Sequence, residues 1–192
     1  IPVPLKTGMI RMGYGKVGIF DERYTRAIWE VSGKVIFSGE AMIKFGAAIS
    51  VGEGAVLRIG DGFRISSNSK IICFKDIRFG DNCRISWNVQ LMDTDFHYIT
   101  DMKGKILNHP RKIEFGNNVW VGSHCTFSKG AVIPDNTIVA SRSLVNKKFE
   151  GEYQVLAGTP ARVIKSDVKW WDENEYASRF GNVTEDYFQE KK

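Results

Sequence analysis

From Phe115 onward a hydrophobic residue returns at every sixth position: Phe115, Val121, Phe127, Ile133, Val139 and Val145. The fifth position of each unit is held by Val119, Cys125, Ala131, Thr137, Ser143 and Phe149, mostly small or β-branched. A helix repeats every 3.6 residues and a strand every two, so a period of six fits neither alone. It fits a solenoid in which each hexad is one short strand and one turn. The large first residue then fills the interior and the smaller fifth residue packs beside it. Gly116-Asn117-Asn118 and Pro134-Asp135-Asn136 occupy the turns. Gly, Asn and Asp tolerate left-handed backbone or bond locally to it.

The same pattern runs upstream. Hexads begin at Phe45, Val51, Ile59, Ile65, Phe79, Ile85 and Leu91. The register slips by two from Leu57 to Ile59 and again between Ile71 and Phe79, which reads as longer turns or small bulges. Residues 96–114 interrupt the array as an excursion loop, after which the hexads resume in register. A long interruption in a compact array is commonly functional. The expected organisation is all-β: irregular strands or a cap over 1–30, a β-helix over 31–165, and a C-terminal extension over 166–192. The extension carries Trp170, Trp171, Tyr176, Phe180, Tyr187 and Phe188 among charges, and reads as one or two short helices folded over the prism end.

Composition adds little that changes this picture. Of 192 residues 43% are hydrophobic, enough for a sizeable core in one domain. No apolar run approaches the ~18 residues of a membrane span, and no leader pattern is visible. The net charge of +5 comes from basic residues interspersed with acidic ones, which argues against nucleic acid; the excess gathers late, at Lys147, Lys148, Arg162 and Lys165. Cys73, Cys83 and Cys125 form neither a disulfide framework nor a CxxC metal site. A reduced, cytoplasmic setting is expected.

The interruption opens with Asp93, Asp95, His97 and Asp101. An imidazole can accept a hydroxyl proton near neutral pH without a metal. Alternate strand residues share a face, so Asp93 and Asp95 are candidates to orient His97; a backbone carbonyl could serve instead. His109 precedes a proline in the same loop, and His124 takes an outer turn position. The three histidines are 12 and 15 residues apart, which misses the ~18-residue coil and speaks against a zinc site. Cys125, at an inward fifth position, is expected to be inert.

Taken in order, LMDTDFHYI, the loop, IEFGNNVWVGSHCTFSKGAVIP and VLAGTPARVIK resemble the hexapeptide-repeat acyltransferases, over roughly residues 31–165. Within that family they are similar to the galactoside, maltose and capsular or exopolysaccharide O-acetyltransferases. The resemblance implies a left-handed parallel β-helix, a homotrimer with sites between subunits, and metal-free acetyl transfer from acetyl-CoA to a sugar hydroxyl, in surface-polysaccharide synthesis. It implies that His97 is the general base; its 23-residue distance from Trp120 matches the family, and the 11 residues from His109 do not. Ser123 would supply the oxyanion-binding amide. Trp120, Gly122, Ser123, Ser141, Asn146 and Lys147 would line the donor groove, Gly122 by letting the thioester approach the backbone. Arg162 and Lys165 would meet the adenosine end. Trp87 and Asn88, one hexad before the loop, are candidates for the saccharide, Trp87 by stacking on a sugar ring or by packing under the loop. The chain departs from the family pattern at Pro134, Arg142 and Asn146, where relatives carry Gly, Gly and Thr. Acetylation of a nucleotide-linked amino sugar, or a non-catalytic scaffold, are the alternatives.

Overall fold

The computed structural model describes residues 4–181. A short strand β1 (Ile10–Met12) precedes a solenoid that crosses three sheets in turn. The first coil is β2 (Ile28–Val31), β3 (Lys34–Phe37) and β4 (Ala41–Ile43). The second is β5 (Ala48–Val51), β6 (Val56–Ile59) and β7 (Phe63–Ile65); the third is β8 (Lys70–Cys73), β9 (Asp76–Phe79) and β10 (Arg84–Ile85). The fourth is β11 (Gln90–Met92), β12 (Ile113–Phe115) and β13 (Trp120–Val121). The fifth is β14 (Thr126–Ser128), β15 (Val132–Ile133) and β16 (Ile138–Val139). Then come β17 (Leu144–Val145), β18 (Gln154–Gly158), β19 (Ala161–Ser166) and one helix, α1 (Glu173–Phe180). Faces one, two and three of the prism start from β2, β3 and β4. All pairings within them are parallel except β18 with β19.

Every hexad position read as inward is inward. Val121, Phe127, Val139 and Val145 are fully buried, as are the fifth-position Val119, Cys125, Ala131 and Thr137. Phe63, Phe79, Phe115 and Phe127 form a continuous aromatic column with ring centroids 4.7–4.9 Å apart. The register slips gather in one place. The extra residues fall beside the first corner, between faces one and two: β9 pairs in plain register with β12, Ile77 with Ile113 and Phe79 with Phe115, while β8 runs on to bury Cys73 opposite Val51 of β5. Two residues added at a strand end preserve in–out alternation, so the coil widens without breaking.

The corners explain the turn residues. Between faces three and one, the third corner, Gly46, Asn68, Asn88, His124 and Arg142 all have φ between +55° and +72°. Between faces two and three, the second corner, Asn82 Nδ2 donates to Asn118 Oδ1 (3.0 Å) and Asn118 Nδ2 to Asn136 Oδ1 (3.2 Å). These asparagines share the left-handed geometry, φ +54° to +56°.

The C-terminal segment does not close the prism end, as the sequence suggested. It lies along the outside of face three: Trp170 Nε1 donates to the Asn118 carbonyl (2.7 Å) and Asp172 reaches Arg84 (3.5 Å). Tyr187 and Phe188 fall outside the described residues.

Candidate active site

The excursion leaves the first corner, between faces one and two, at Asp93 and rejoins at Lys112. It is a loose hairpin, pinned by an antiparallel bridge between Thr100 and Ile106. His97 and His109 stand on its two limbs, both exposed in the single chain.

His97 is held by the backbone of Asp95. Its N–H donates to the Asp95 carbonyl (2.7 Å), and its Nδ1 lies 3.3 Å from the same oxygen. A carbonyl can only accept, so Nδ1 carries the proton and Nε2 is left as the basic nitrogen.

Neither candidate orienting carboxylate touches the imidazole. The fully buried Asp93 accepts from the amides of Phe74 (2.7 Å), Lys75 (2.8 Å) and Asp76 (2.9 Å), where β8 turns into β9. It is a turn cap for the coil beneath. Asp95 Oδ2 accepts from Lys129 Nζ and from Asn108 Nδ2 (2.7 Å). The hydrogen bond from Lys129, then that from Asn108, hold the Asp95 carboxyl below the usual carboxylate range.

Asn108 was not singled out from the sequence, yet it is the hub of the loop. Its Nδ2 also donates to the His97 carbonyl (2.9 Å), and its Oδ1 accepts from Ile99 N–H (2.7 Å). Lys129 Nζ donates to the Asn108 carbonyl (2.7 Å). Lys129 and Asn108 thus tie both limbs to the end of β14. Their roles depend on which corner the loop leaves from, and no local motif records that.

The groove residues sit elsewhere. Ser123 and Ser141 stack on the third corner, one coil apart, with Oγ atoms 3.4 Å apart. Gly122 is needed for this stacking: a Cβ there would lie 2.7 Å from the Ser141 nitrogen. The space that a side chain would take is filled by the next coil. Trp120 turns out of face three, its ring centroid 6.4 Å from that of Trp170; the C-terminal segment is its neighbour. Asn146 and Lys147 are exposed just beyond β17, and Arg162 and Lys165 are exposed on β19.

Trp87 and Asn88 share the third corner. Asn88 Nδ2 donates to His124 Nε2 (3.2 Å), which engages that imidazole one coil above. Trp87 is half-buried in an outer groove of face three and, being on another corner, does not underlie the loop. Burial pushes the Cys73 and Cys83 thiols up to about 12 and raises that of Cys125, so none is a ready nucleophile. Among the described residues no group of His, Cys, Asp and Glu is placed to hold a metal. No described helix is long and apolar enough to cross a membrane.

A three-sided β-helix of hexads, broken once by an excursion bearing an exposed histidine, is the build of the hexapeptide-repeat acetyltransferases, which the chain resembles, and its fold is a left-handed parallel β-helix. No family profile matches it. It is 35% identical to the galactoside O-acetyltransferase of Escherichia coli (strain K12) over 114 residues, 58% of this chain and 55% of that protein. It is 30% identical to a polysialic acid O-acetyltransferase of Neisseria meningitidis over 109 residues, 56% of this chain and 51% of that one. The chain thus spans little more than half the length of these relatives. Among solved structures, the polySia-specific acetyltransferase NeuO superposes with a TM-score of 0.67 at 27% identity, covering 71% of this chain and 63% of that one. A galactoside acetyltransferase in complex with coenzyme A gives 0.58 at 27% identity, covering 72% of each chain.

Proposed function

We propose that the chain transfers an acetyl group from acetyl-CoA to a saccharide hydroxyl, as a cytoplasmic homotrimer in surface-polysaccharide synthesis. The observation that carries this reading is the His97 imidazole, with Nδ1 tied to the Asp95 carbonyl and Nε2 turned out as the base. The names of the relatives point the same way.

His97 Nε2 takes the proton of the acceptor hydroxyl as that oxygen adds to the thioester carbonyl carbon. The Ser123 N–H donates to the carbonyl oxygen as it gains charge. Collapse breaks the carbon–sulfur bond, and the departing thiolate takes the proton back from His97. Ser123, Ser141, Asn146 and Lys147 offer polar contacts to the pantetheine arm, and Arg162 and Lys165 offer charge to the phosphates.

One chain does not bring these parts together. His97 belongs to the first corner and Ser123 to the third, with face one between them. Beyond the turn at Ser123 and His124 the chain crosses that face as β14 to reach Lys129, a span of roughly 15 Å at ~3.3 Å per residue. A neighbouring subunit that apposes its third corner to this first corner would close the gap. Face one suits such a contact: from β8 to β17 its outward residues include Ile72, Gln90, Met92, Thr126, Ser128 and Leu144, with Lys70 the charged exception.

Mass spectrometry of oligosaccharides incubated with acetyl-CoA tests the reading. Acetylated product should form with the wild type, and His97→Ala should lower kcat by ~10²-fold or more, the scale of a lost general base. His109→Ala should do far less. Near-wild-type turnover in a folded His97→Ala trimer would rule the mechanism out.

A further inference from the structure

Face three carries a charge arrangement that neither the fold nor the acetyl transfer explains. Arg64 on β7 and Arg84 on β10 are direct register partners, so two guanidinium groups leave the sheet side by side. The sequence around them is duplicated, Arg64-Ile65-Ser66 and Arg84-Ile85-Ser86. Like charges directly opposite across a sheet destabilise it. On face two the corresponding problem is met with a carboxylate: Asp76 binds Arg58 Nη1 with both oxygens (2.7 and 2.8 Å). On face three Asp172 pairs with Arg84, and the other charged neighbours, Arg64 and Lys44, are cations.

Lys44, Arg64, Ser66, Arg84, Ser86 and Trp87 line a groove of about 180 Å³ there. Lys44 Nζ donates to the Lys16 carbonyl (3.4 Å) and Arg84 Nη1 to the Gly62 carbonyl. Asp172 lies 3.5 Å from Arg84 Nη2; among the described residues Arg64 and Lys44 make no ion pair. Burial, and next the charge of Arg64, make the Arg84 guanidinium easier to deprotonate than an ordinary one. Two hydroxyls, an indole face and three cations make a site for a ring-bearing anion.

The groove runs up to the third corner, the one that carries the proposed oxyanion amide. Trp87 accepts at its carbonyl from His124 N–H (3.1 Å), placing it one coil below the Ser123 turn. The cations assigned to the donor, Arg162 and Lys165, lie beyond the last coils on β19.

We propose that this groove binds the carboxylate of the acceptor, so that the saccharide acetylated is an acidic one. Arg64 and Arg84 fork onto the carboxylate, Ser66 and Ser86 bond the adjoining hydroxyls, and Trp87 covers the sugar ring. The assignment of the ligand as acceptor rests on the O-acetyltransferase reading; the anion site itself does not.

Direct binding separates the two. Oligomers of galacturonate, of glucuronate-containing disaccharides and of N-acetylneuraminate are each titrated into the full chain without acetyl-CoA, beside their carboxyl-reduced counterparts. At least one acidic oligomer should bind more tightly than its reduced form, and less tightly at high salt. Arg64→Gln, an exposed substitution, should weaken that binding roughly tenfold, the loss expected for a charge-assisted pair. Lys34→Gln, an exposed change on face two, should bind the oligomer as the wild type does. If no acidic oligomer outbinds its reduced form, or Arg64→Gln leaves binding unchanged, the groove is not a carboxylate site. If Arg64→Gln instead raises the KM for acetyl-CoA, the cations serve a CoA phosphate and the proposal falls. Tight acidic binding with no acetylated product would leave the groove standing and refute the transferase reading.

Discussion

Asp93 and Asp95 lie two residues apart and do different work. Asp93 faces three amides of the coil below, and its removal strands them inside the protein. Asp93→Asn should therefore cost about 1–3 kcal/mol of stability, read by thermal unfolding, and leave the kcat of the folded enzyme near wild type. Asp95 acts through Lys129 and Asn108 on the loop that carries His97. Lys129→Met should lower kcat about tenfold with the KM for acetyl-CoA unchanged, and Lys129→Arg should recover part of it. The Asp95 carboxyl is held below its ordinary range by Lys129. Its contribution is thus complete above that range and is lost as pH falls through the depressed value. Amide protection across residues 97–108, taken relative to intrinsic exchange at each pH, should fall at acid pH in the wild type, and should already be low at neutral pH in Lys129→Met. Equal protection in both proteins would mean that the clasp does not order the loop. The excursion that carries His97 was legible in the sequence because the hexads stop there. Asn108 and Lys129 were not, because their partners are set by how distant residues meet at the first corner.

The corner is the element on which the fold depends, and two substitutions there should have opposite characters. Asn118 combines positive φ, a place in the asparagine ladder and a carbonyl bound by Trp170. Asn118→Ala keeps the carbonyl but loses the ladder bonds and forces a Cβ residue without polar compensation into left-handed backbone. It should cost about 1–3 kcal/mol in chemical denaturation. Arg142 has φ +63° with no such ladder. Arg142→Gly should be neutral or stabilising by up to about 1 kcal/mol, since glycine removes the steric cost and only its unfolded-state entropy opposes the gain. A clear loss of stability would show that the Arg142 side chain has a structural partner. The hexads were readable because inward positions are set by the interior, whichever coil they belong to. The slips are visible in the sequence but their place is not: residues added at a strand end and residues added to a turn shift the hexad count alike, and only the strand register at the first corner tells them apart.

At the scale of the molecule, the separation of His97 from Ser123 by a whole face gives a test of assembly. If each site takes its base from one subunit and its amide corner from the next, two inactive chains can repair each other. His97→Ala supplies an intact third corner; Ser141→Trp, whose indole would fill the groove beside Ser123, supplies an intact loop. Random trimers from an equal mixture should regain about one quarter of the wild-type sites, since each requires a particular variant on either side. No recovery after verified mixing, or a monomer in light scattering, would place the whole site within one chain. The ending of the prism has a further consequence. Each parallel rung presents to the next the same row of unpaired amides and carbonyls, so the architecture contains no internal reason to stop adding rungs. The reversal of β19 against β18 supplies one, by replacing a parallel edge with an antiparallel strand whose Arg162 and Lys165 repel an identical approaching edge. A chain lacking that hairpin would offer the bare rung of β16 to any other copy, and the same geometry that builds a finite prism would become a template for end-to-end polymerisation.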